Sequence, residues 1–423
     1  MSTTDRRRGY WDRGKETLPA PARRRYQSDW LRELLAHAWD RAPGVRRRLE
    51  DAGLTPRDIR DEDDLARLPV LKKSALPDLQ KANPPFGGFC AVPLSRLRKI
   101  FVSPGPIVEP MGPEPGGWHL QTCLYATGFR PGDVVLNTFS YQFVPAAHEM
   151  EESLNLLGCT VVPTGVGNTE QQVAAARTLG ATGFVGTPSF LMTLLERADE
   201  LGGGRLAFAV AHLGAEPLSE SLRKVFQDEY GIMARQSFGT ADVGMIAYEC
   251  AEASGMHLLE DVIVQICDPT TGLPLPTGEI GEIVATPNVP TYPMIRFGTG
   301  DLSVLTDEPC RCGRTSARML GWRGRADEVT KVRGMFIHPR QADEIVARVG
   351  GVARVQVVVG RAGHQDSLTF RVELTGGADA PAVTKALQAG IRDVMKLRGE
   401  VEVVVPGTIP EGARKIADER QWD

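Results

Sequence analysis

The chain has 423 residues, and single hydrophobic cores stop growing near ~250–300 residues, so two or more domains are expected. Hydrophobic content of 42% and charged content of 24% are ordinary for a globular protein, and a net charge of −4 with a pI near 6.1 excludes a global basic field for nucleic acid or an anionic membrane. The start, "MSTTDRRRGYWDRGKE", lacks an apolar core, so no secretory signal is expected, and no apolar run of about 18 residues predicts a membrane-spanning helix. Seven cysteines are few and odd in number; this argues against a disulfide framework and for a reducing cytoplasm.

Residues 1–75 read as helical and charged. "DWLRELLAHAWDRAPGVRRRLEDAG" places Trp30, Leu31, Leu34, Leu35 and Ala38 at helical spacing, with its arginines on a solvated face. "KIFVSPGPIVEPMGPEPGGWH" follows, dense in glycine and proline. It is either a loop offering backbone N–H groups to a phosphate or a plain connector. From 120 to 215, the short apolar runs "DVVLNTFS", "CTVVPTG", "ATGFVGTPS" and "LAFAVAHLGAE" read as buried strands. Helical stretches such as "EQQVAAARTLG" and "PSFLMTLLERADEL" lie between them. That alternation predicts a parallel sheet covered on both faces, with ligands at the carboxyl ends of its strands. The turns "TFSYQF", "VGTPS" and "LGAEP" are then the first places to look, with Tyr141, Phe143, Phe184 and Pro188 as pocket walls or ordinary core. From 258 to 306, "PTTG" and "PTGEIG" mark hairpins of a smaller β-rich part. After "GWRGRADEVTKVRG", helix "PRQADEIVARVGG", strands "VARVQVVVG" and "DSLTFRVEL", helix "PAVTKALQAGIRDVMKL" and strand "EVEVVV" form a compact α+β unit. The expected domains are 1–324 and 325–423.

Cys250, His257, Cys310 and Cys312 read as C-x6-H followed by C-x-C, each half beside turns. Three thiolates and an imidazole suit a closed tetrahedral Zn²⁺ site with a structural role; the plainer alternative is unrelated buried thiols.

Three stretches resemble, in order and spacing, the aryl-CoA ligases of the phenylacetate–CoA ligase type, within the acyl-adenylate-forming (AMP-binding) superfamily. They are "LGAEPLSESLRKVFQDEYGIMARQSFGTADVGMIAYEC", "YPMIRFGTGDLSVL" and "PCRCGRTSARMLGWRGRADEVTKVRGMFIHPRQADEIV". The fold implied is α/β: a large N-terminal domain of layered sheets and helices with a β-rich subdomain, then a small mobile α+β domain. The reaction implied has two steps. A carboxylic acid, aromatic by the resemblance, attacks ATP to give acyl-AMP and pyrophosphate, and the thiol of coenzyme A then takes the acyl group. ATP, Mg²⁺ and coenzyme A are the implied cofactors, alongside the structural Zn²⁺ read from the cysteines. The partner is a small-molecule acid, with no nucleic acid and no membrane; a homodimer and a carrier-protein partner stay open.

The resemblance implies roles residue by residue. Asp301 in "GTGD" holds the ribose hydroxyls, as a carboxylate accepting from two neighbouring donors can. Gly214, Ala215 and Glu216 run along the adenine. Phe238 and Gly239 precede Asp242, which stands where the Mg²⁺-binding acid belongs. Arg325 is the motif arginine, Asp327 the hinge, and Gly334 lines the thiol tunnel. Two departures are visible. The phosphate loop is reduced to Ser103 and Gly105, flanked by Pro104 and Pro106, which have no N–H to donate, and Ala241 replaces a hydroxyl residue. In "IPEGARKIADER", Lys415 lies two residues beyond the expected glycine-lysine step, so it is either the catalytic ammonium in a shifted register or a surface lysine. Three classes of function stay open: a CoA ligase, an adenylating enzyme that acylates an amine or a carrier protein, and a degenerate nucleotide-binding member.

Overall fold

The computed structural model describes residues 5–103, 106–113, 115–326, 330–333, 335–362, 365–410 and 413–420. The chain forms two compact units, Met1–Ala326 and Asp327–Asp423.

The first unit opens with two helices, Ala20–Arg41 and Pro43–Asp51. Pro43 divides the helical stretch because its ring cannot continue the preceding helix, while its fixed φ suits the first position of the next. Trp30, Leu31, Leu34, Leu35 and Ala38 all face the core, as their spacing predicts.

The central sheet has nine strands. Five are parallel, in spatial order Met233–Thr240, Val210–Leu213, Gly183–Gly186, Val134–Asn137 and Thr160–Pro163. The helices Thr169–Leu179 and Pro188–Glu200 alternate with the strands as predicted; the first crosses from Thr160–Pro163 past Val134–Asn137 to Gly183–Gly186, and the second joins Gly183–Gly186 to its neighbour Val210–Leu213. Beyond Met233–Thr240 the sheet turns antiparallel through Gly244–Glu249, Met256–Leu258, Arg318–Met319 and Leu305–Thr306. The sheet is therefore mixed, not purely parallel. Successive residues of its strands feed two separate cores. Val135, Val185 and Val210 join the cluster with Phe129 and Leu124; Leu136, Phe184 and Ala211 join the one with Phe208 and Leu194. The period of two along each strand sets that division.

A second sheet has the order Leu71–Lys72, Phe297–Ser303, Gly281–Pro287, Val262–Cys267. Gly281–Pro287 and Val262–Cys267 are buried along their length, which fits a layer covered on both sides. Arg296 enters this layer 2% exposed. Its guanidinium donates to the carbonyls of Ala66, Leu68 and Gly272 and to Gln265 Oε1, so the N-terminal helical segment is tied to the Phe297–Ser303 strand.

The second unit carries a four-stranded sheet, Glu400–Val404, Gln365–Leu374, Val352–Ala362 and Ile416–Asp418 in spatial order. Helices Pro339–Val349 and Ala380–Gly390 accompany it. Its own core includes Ile345, Val357, Phe370 and Leu387.

Candidate active site and metal centre

The carboxyl ends of the parallel strands carry the first group of site residues. Gly214, Ala215 and Glu216 leave the Val210–Leu213 strand. Gly214 N–H donates to Gly186 O of the neighbouring strand at 3.1 Å. Ala215 sits at φ +68°, a left-handed conformation that costs an alanine energy and turns the chain sharply across the strand ends. Glu216 accepts from Ser189 N–H at 3.4 Å, at the first turn of helix Pro188–Glu200.

Phe238 and Gly239 end the Met233–Thr240 strand, where the pairing with Gly244–Glu249 shifts register. A Cβ on Gly239 would lie 2.6 Å from Gly244 O and 3.0 Å from Met245 Cα, both backbone atoms, so only glycine lets the two strands approach. The turn that follows carries Asp242 inward. Its Oδ2 accepts from Lys73 Nζ at 2.6 Å, and its Oδ1 is buried without a hydrogen-bond partner. Sequence reading passed over Lys73. It lies 169 residues from its partner, and "LKKSALPDLQ", although it too resembles the family, gives this lysine no role of its own.

The glycine-proline stretch folds as an antiparallel hairpin of Lys99–Ser103 and Ile107–Met111, with Ser103 opposite Ile107. Ser103 Oγ donates to Glu109 Oε1 at 2.7 Å. Glu109 is 2% exposed, and its Oε2 has no hydrogen-bond partner. Burial first, and the charge of Asp242 second, push its carboxyl up to about 8. Glu109 was also missed, since a lone acid in "IVEPM" carries no spacing signal.

Asp301 lies in the Phe297–Ser303 strand. Its Oδ1 accepts from Trp322 Nε1 at 2.9 Å, and its Oδ2 is 3.1 Å from Arg325 Nη1. Arg325 also donates to Thr299 O, so the aspartate and the motif arginine hold one another on facing backbone segments.

The aromatic residues named from the sequence separate by position. Tyr141 is half-buried; its hydroxyl accepts from Asn137 Nδ2 at 2.9 Å, and its ring stands edge-on to His148. Phe143 is 75% exposed at φ +62°, and its carbonyl accepts from Val102 N–H of the hairpin. Pro188 is buried as the first residue of its helix. Phe184 is completely buried against Phe208, because its side of the strand faces the helices; it is a core side chain. In the second unit, Lys415 precedes the Ile416–Asp418 strand and pairs with Asp343 at 2.8 Å. Gly105, Asp327 and Gly334 lie outside the described residues.

Cys250, His257, Cys310 and Cys312 come together from three segments, and their ligand atoms all lie within 4.8 Å of one another. Cys250 Sγ is 3.8 Å from Cys310 Sγ, and Cys312 Sγ is 3.4 Å from His257 Nε2. Zn–S bonds of about 2.3 Å in a tetrahedron give S···S edges of about 3.8 Å, so the donor set and its spacing fit zinc. The hydrogen bond with Cys250 and the imidazole of His257 pull the Cys312 thiol down, while the same hydrogen bond pushes Cys250 up, so this pair of sulfurs shares one proton in the absence of a metal. Tyr10 hydroxyl donates to Cys312 O at 2.9 Å, and Arg314 pairs with Glu16, so residues near the N-terminus pack onto this cluster.

Family models for the AMP-binding enzyme and for the AMP-binding enzyme C-terminal domain match residues 117–289 and 334–420. A phenylacetate-coenzyme A ligase of Thermus thermophilus is 33% identical over 375 residues, covering 85% of this chain and 83% of that protein. The chain belongs to the phenylacetate–CoA ligase family of AMP-binding enzymes. A second family member, from Aromatoleum evansii, is 30% identical over 94% of both chains. Among solved structures, 2-hydroxyisobutyryl-CoA ligase in complex with its acyl-AMP and CoA is 27% identical, with a TM-score of 0.89 over 97% of this chain and 93% of that one. Within this AMP-binding enzyme the first match spans the parallel strands, Asp242 and the Cys250–His257 half of the cysteine-histidine cluster. The hairpin with Ser103 and Glu109 lies outside it.

Proposed function

We propose that this protein is an AMP-forming acid–thiol ligase that activates a small carboxylic acid, aromatic by its kinship, as acyl-AMP and transfers the acyl group to coenzyme A. Kinship to phenylacetate-coenzyme A ligases over most of the chain carries the reading, together with two hydrogen-bonded aspartates, Asp301 in the Phe297–Ser303 strand and Asp242 in the turn after Met233–Thr240.

In this reading the ribose hydroxyls donate to Asp301, whose carboxylate is oriented by Trp322 and Arg325. The Gly214–Ala215–Glu216 turn supplies a backbone edge beside the adenine, and Phe238 packs next to it. Ser103 and Gly105 contribute the donors left to the phosphate hairpin. Asp242 fits a hard cation: its Oδ1 is a buried carboxylate oxygen without a partner. Bound Mg²⁺ would neutralise charge on the phosphates. Lys415 supplies an ammonium to the forming acyl phosphate, after release from Asp343. Asp327 is the hinge between domains 1–324 and 325–423, the latter the mobile one, with the motif arginine Arg325 beside it, and Gly334 lines the thiol path. Tyr141, Phe143 and Pro188 border the acid. Zn²⁺ on Cys250, His257, Cys310 and Cys312 is structural, since four protein ligands leave no open position. Seven cysteines with no disulfide between them support a reducing, cytoplasmic setting.

Acid-dependent ATP–pyrophosphate exchange over a panel of aryl and alkyl acids tests the first step. Thioester formation with coenzyme A tests the second. Exchange without thioester would redirect the acceptor to an amine or a carrier protein. Nucleotide binding without exchange would make the chain a degenerate family member.

A further inference from the structure

The hairpin that replaces a donor-rich phosphate loop contributes little N–H: Pro104 and Pro106 have none. Yet it carries a carboxylate, Glu109, into the same buried region as Asp242. We propose that Glu109 and Asp242 together bind the divalent cation that accompanies ATP, the second carboxylate offsetting the donors the loop lacks; this rests on the ligase reading.

Four observations support it. First, Glu109 is 2% and Asp242 4% exposed, and each has one oxygen, Glu109 Oε2 and Asp242 Oδ1, buried without a hydrogen-bond partner. Burying an unpaired carboxylate oxygen is costly, and here each of two acids leaves one. Second, the other oxygen of each acid is committed, Glu109 Oε1 to Ser103 and Asp242 Oδ2 to Lys73, so the orphaned oxygens are the ones left for a ligand. Third, the scaffold around Glu109 is rigid. Gln80 brackets the preceding residue, accepting from Val108 N–H and donating to Val108 O, each at 2.8 Å, and it also donates to the hydroxyl of Tyr292. Fourth, the charges balance. With the cation bound and both carboxyls ionised, the two carboxylates, the Lys73 ammonium and the divalent cation sum to plus one, facing a polyanionic triphosphate. The oxygen-only donor set suits Mg²⁺ or Mn²⁺, not a soft metal.

The test is Mn²⁺ binding, followed by electron paramagnetic resonance, to the full-length protein saturated with the non-reacting analogue α,β-methylene-ATP. Glu109→Gln keeps an acceptor for Ser103 but removes the charge. It should weaken Mn²⁺ at least tenfold, as Asp242→Asn does, while binding metal-free nucleotide like the wild type. Unchanged Mn²⁺ affinity in Glu109→Gln overturns the pair and leaves the ligase reading standing. A wild type that binds no nucleotide overturns both. Should Glu109→Gln not fold, the anomalous-scattering peak of Mn²⁺ in wild-type crystals decides: bonding to both carboxylates supports the pair, and bonding to Asp242 alone overturns it.

Discussion

His212 shows how one side chain ties the central sheet to the helix Leu120–Thr127. It is completely buried. Thr127 Oγ1 donates to Cys123 O at 2.9 Å, so at His212 Nδ1 that hydroxyl oxygen accepts, and Nδ1 carries the proton. Nε2 then accepts from Ser237 Oγ at 2.8 Å. Burial pulls this imidazole down to about 4. Below about pH 6.5 the unfolded chain takes up a proton that the folded one refuses, so stability falls with pH between 6.5 and 4, at up to ~1.4 kcal/mol per unit. Glu149 and Glu260, each raised to about 7 by burial, act in the opposite sense, losing stability as pH rises from 4.5 to 7. The informative measurement is therefore a difference. Urea midpoints of wild type and His212→Gln between pH 4.5 and 7 should converge as pH falls, because the variant lacks the refused proton. Parallel curves would place the cost elsewhere. Asp301 is the second residue whose removal is diagnostic. Two charge-assisted hydrogen bonds to a ribose account for roughly 10²-fold or more in pyrophosphate exchange, so Asp301→Ala should lose that much while keeping its melting temperature within a few degrees. Full exchange in a folded variant would remove Asp301 from the ribose role.

Among the elements, what the sequence reveals depends on how local the determining physics is. The runs around Val134–Asn137, Thr160–Pro163, Gly183–Gly186 and Val210–Leu213 are short, apolar and bounded by turn residues, so their strand type is legible. The antiparallel extension is not, because the same apolar run pairs in either direction; the direction comes from the Gly239–Gly244 hairpin. That hairpin rests on one atom's worth of space. Gly239→Ala should destabilise the protein by about 2–3 kcal/mol and impair exchange together with it, since the displaced turn carries Asp242. A stable, active Gly239→Ala enzyme would show that the strands can part without cost. In the candidate site, motif positions are legible because they are defined by neighbours in sequence. Lys73 and Glu109 are not, because their meaning arises only where distant segments meet. The metal cluster lies between these cases: cysteine is scarce, so four soft ligands stand out, but only folding joins Cys250 and His257 to Cys310 and Cys312. Purified protein should carry about one Zn²⁺. Cys310→Ser, or chelation, should lower the melting temperature by roughly 5 °C, because the metal contributes folding energy where residues 9–16 pack on its loop. Metal-free protein of unchanged stability would return the cluster to ordinary buried thiols.

At the scale of the molecule, two units with separate cores meet in sequence near residue 326, and the ligase reading assigns them different duties. Asp301 and Asp242 belong to the first unit and Lys415 to the second. A group on the second unit can serve one half-reaction and be absent from the other, whereas groups on the first serve both. If Lys415 stabilises charge while acyl-AMP forms, Lys415→Ala should slow that step by roughly 10²–10³, the loss expected for one charge-stabilising donor. Thioester formation from supplied acyl-AMP should stay within about twofold of wild type. The fold should survive, since the pairing of Lys415 with Asp343 is half-exposed and such pairs contribute at most about 1 kcal/mol. Lys415→Arg sharpens the result, because it keeps the charge and the Asp343 partner but changes the shape of the donor. Recovery of stability without recovery of adenylation would assign Lys415 to chemistry. Equal slowing of both half-reactions by Lys415→Ala would make the lysine structural. The chain would then lack an ammonium at the acyl phosphate, and with so few donors in its phosphate hairpin it would be a nucleotide-binding family member of low turnover.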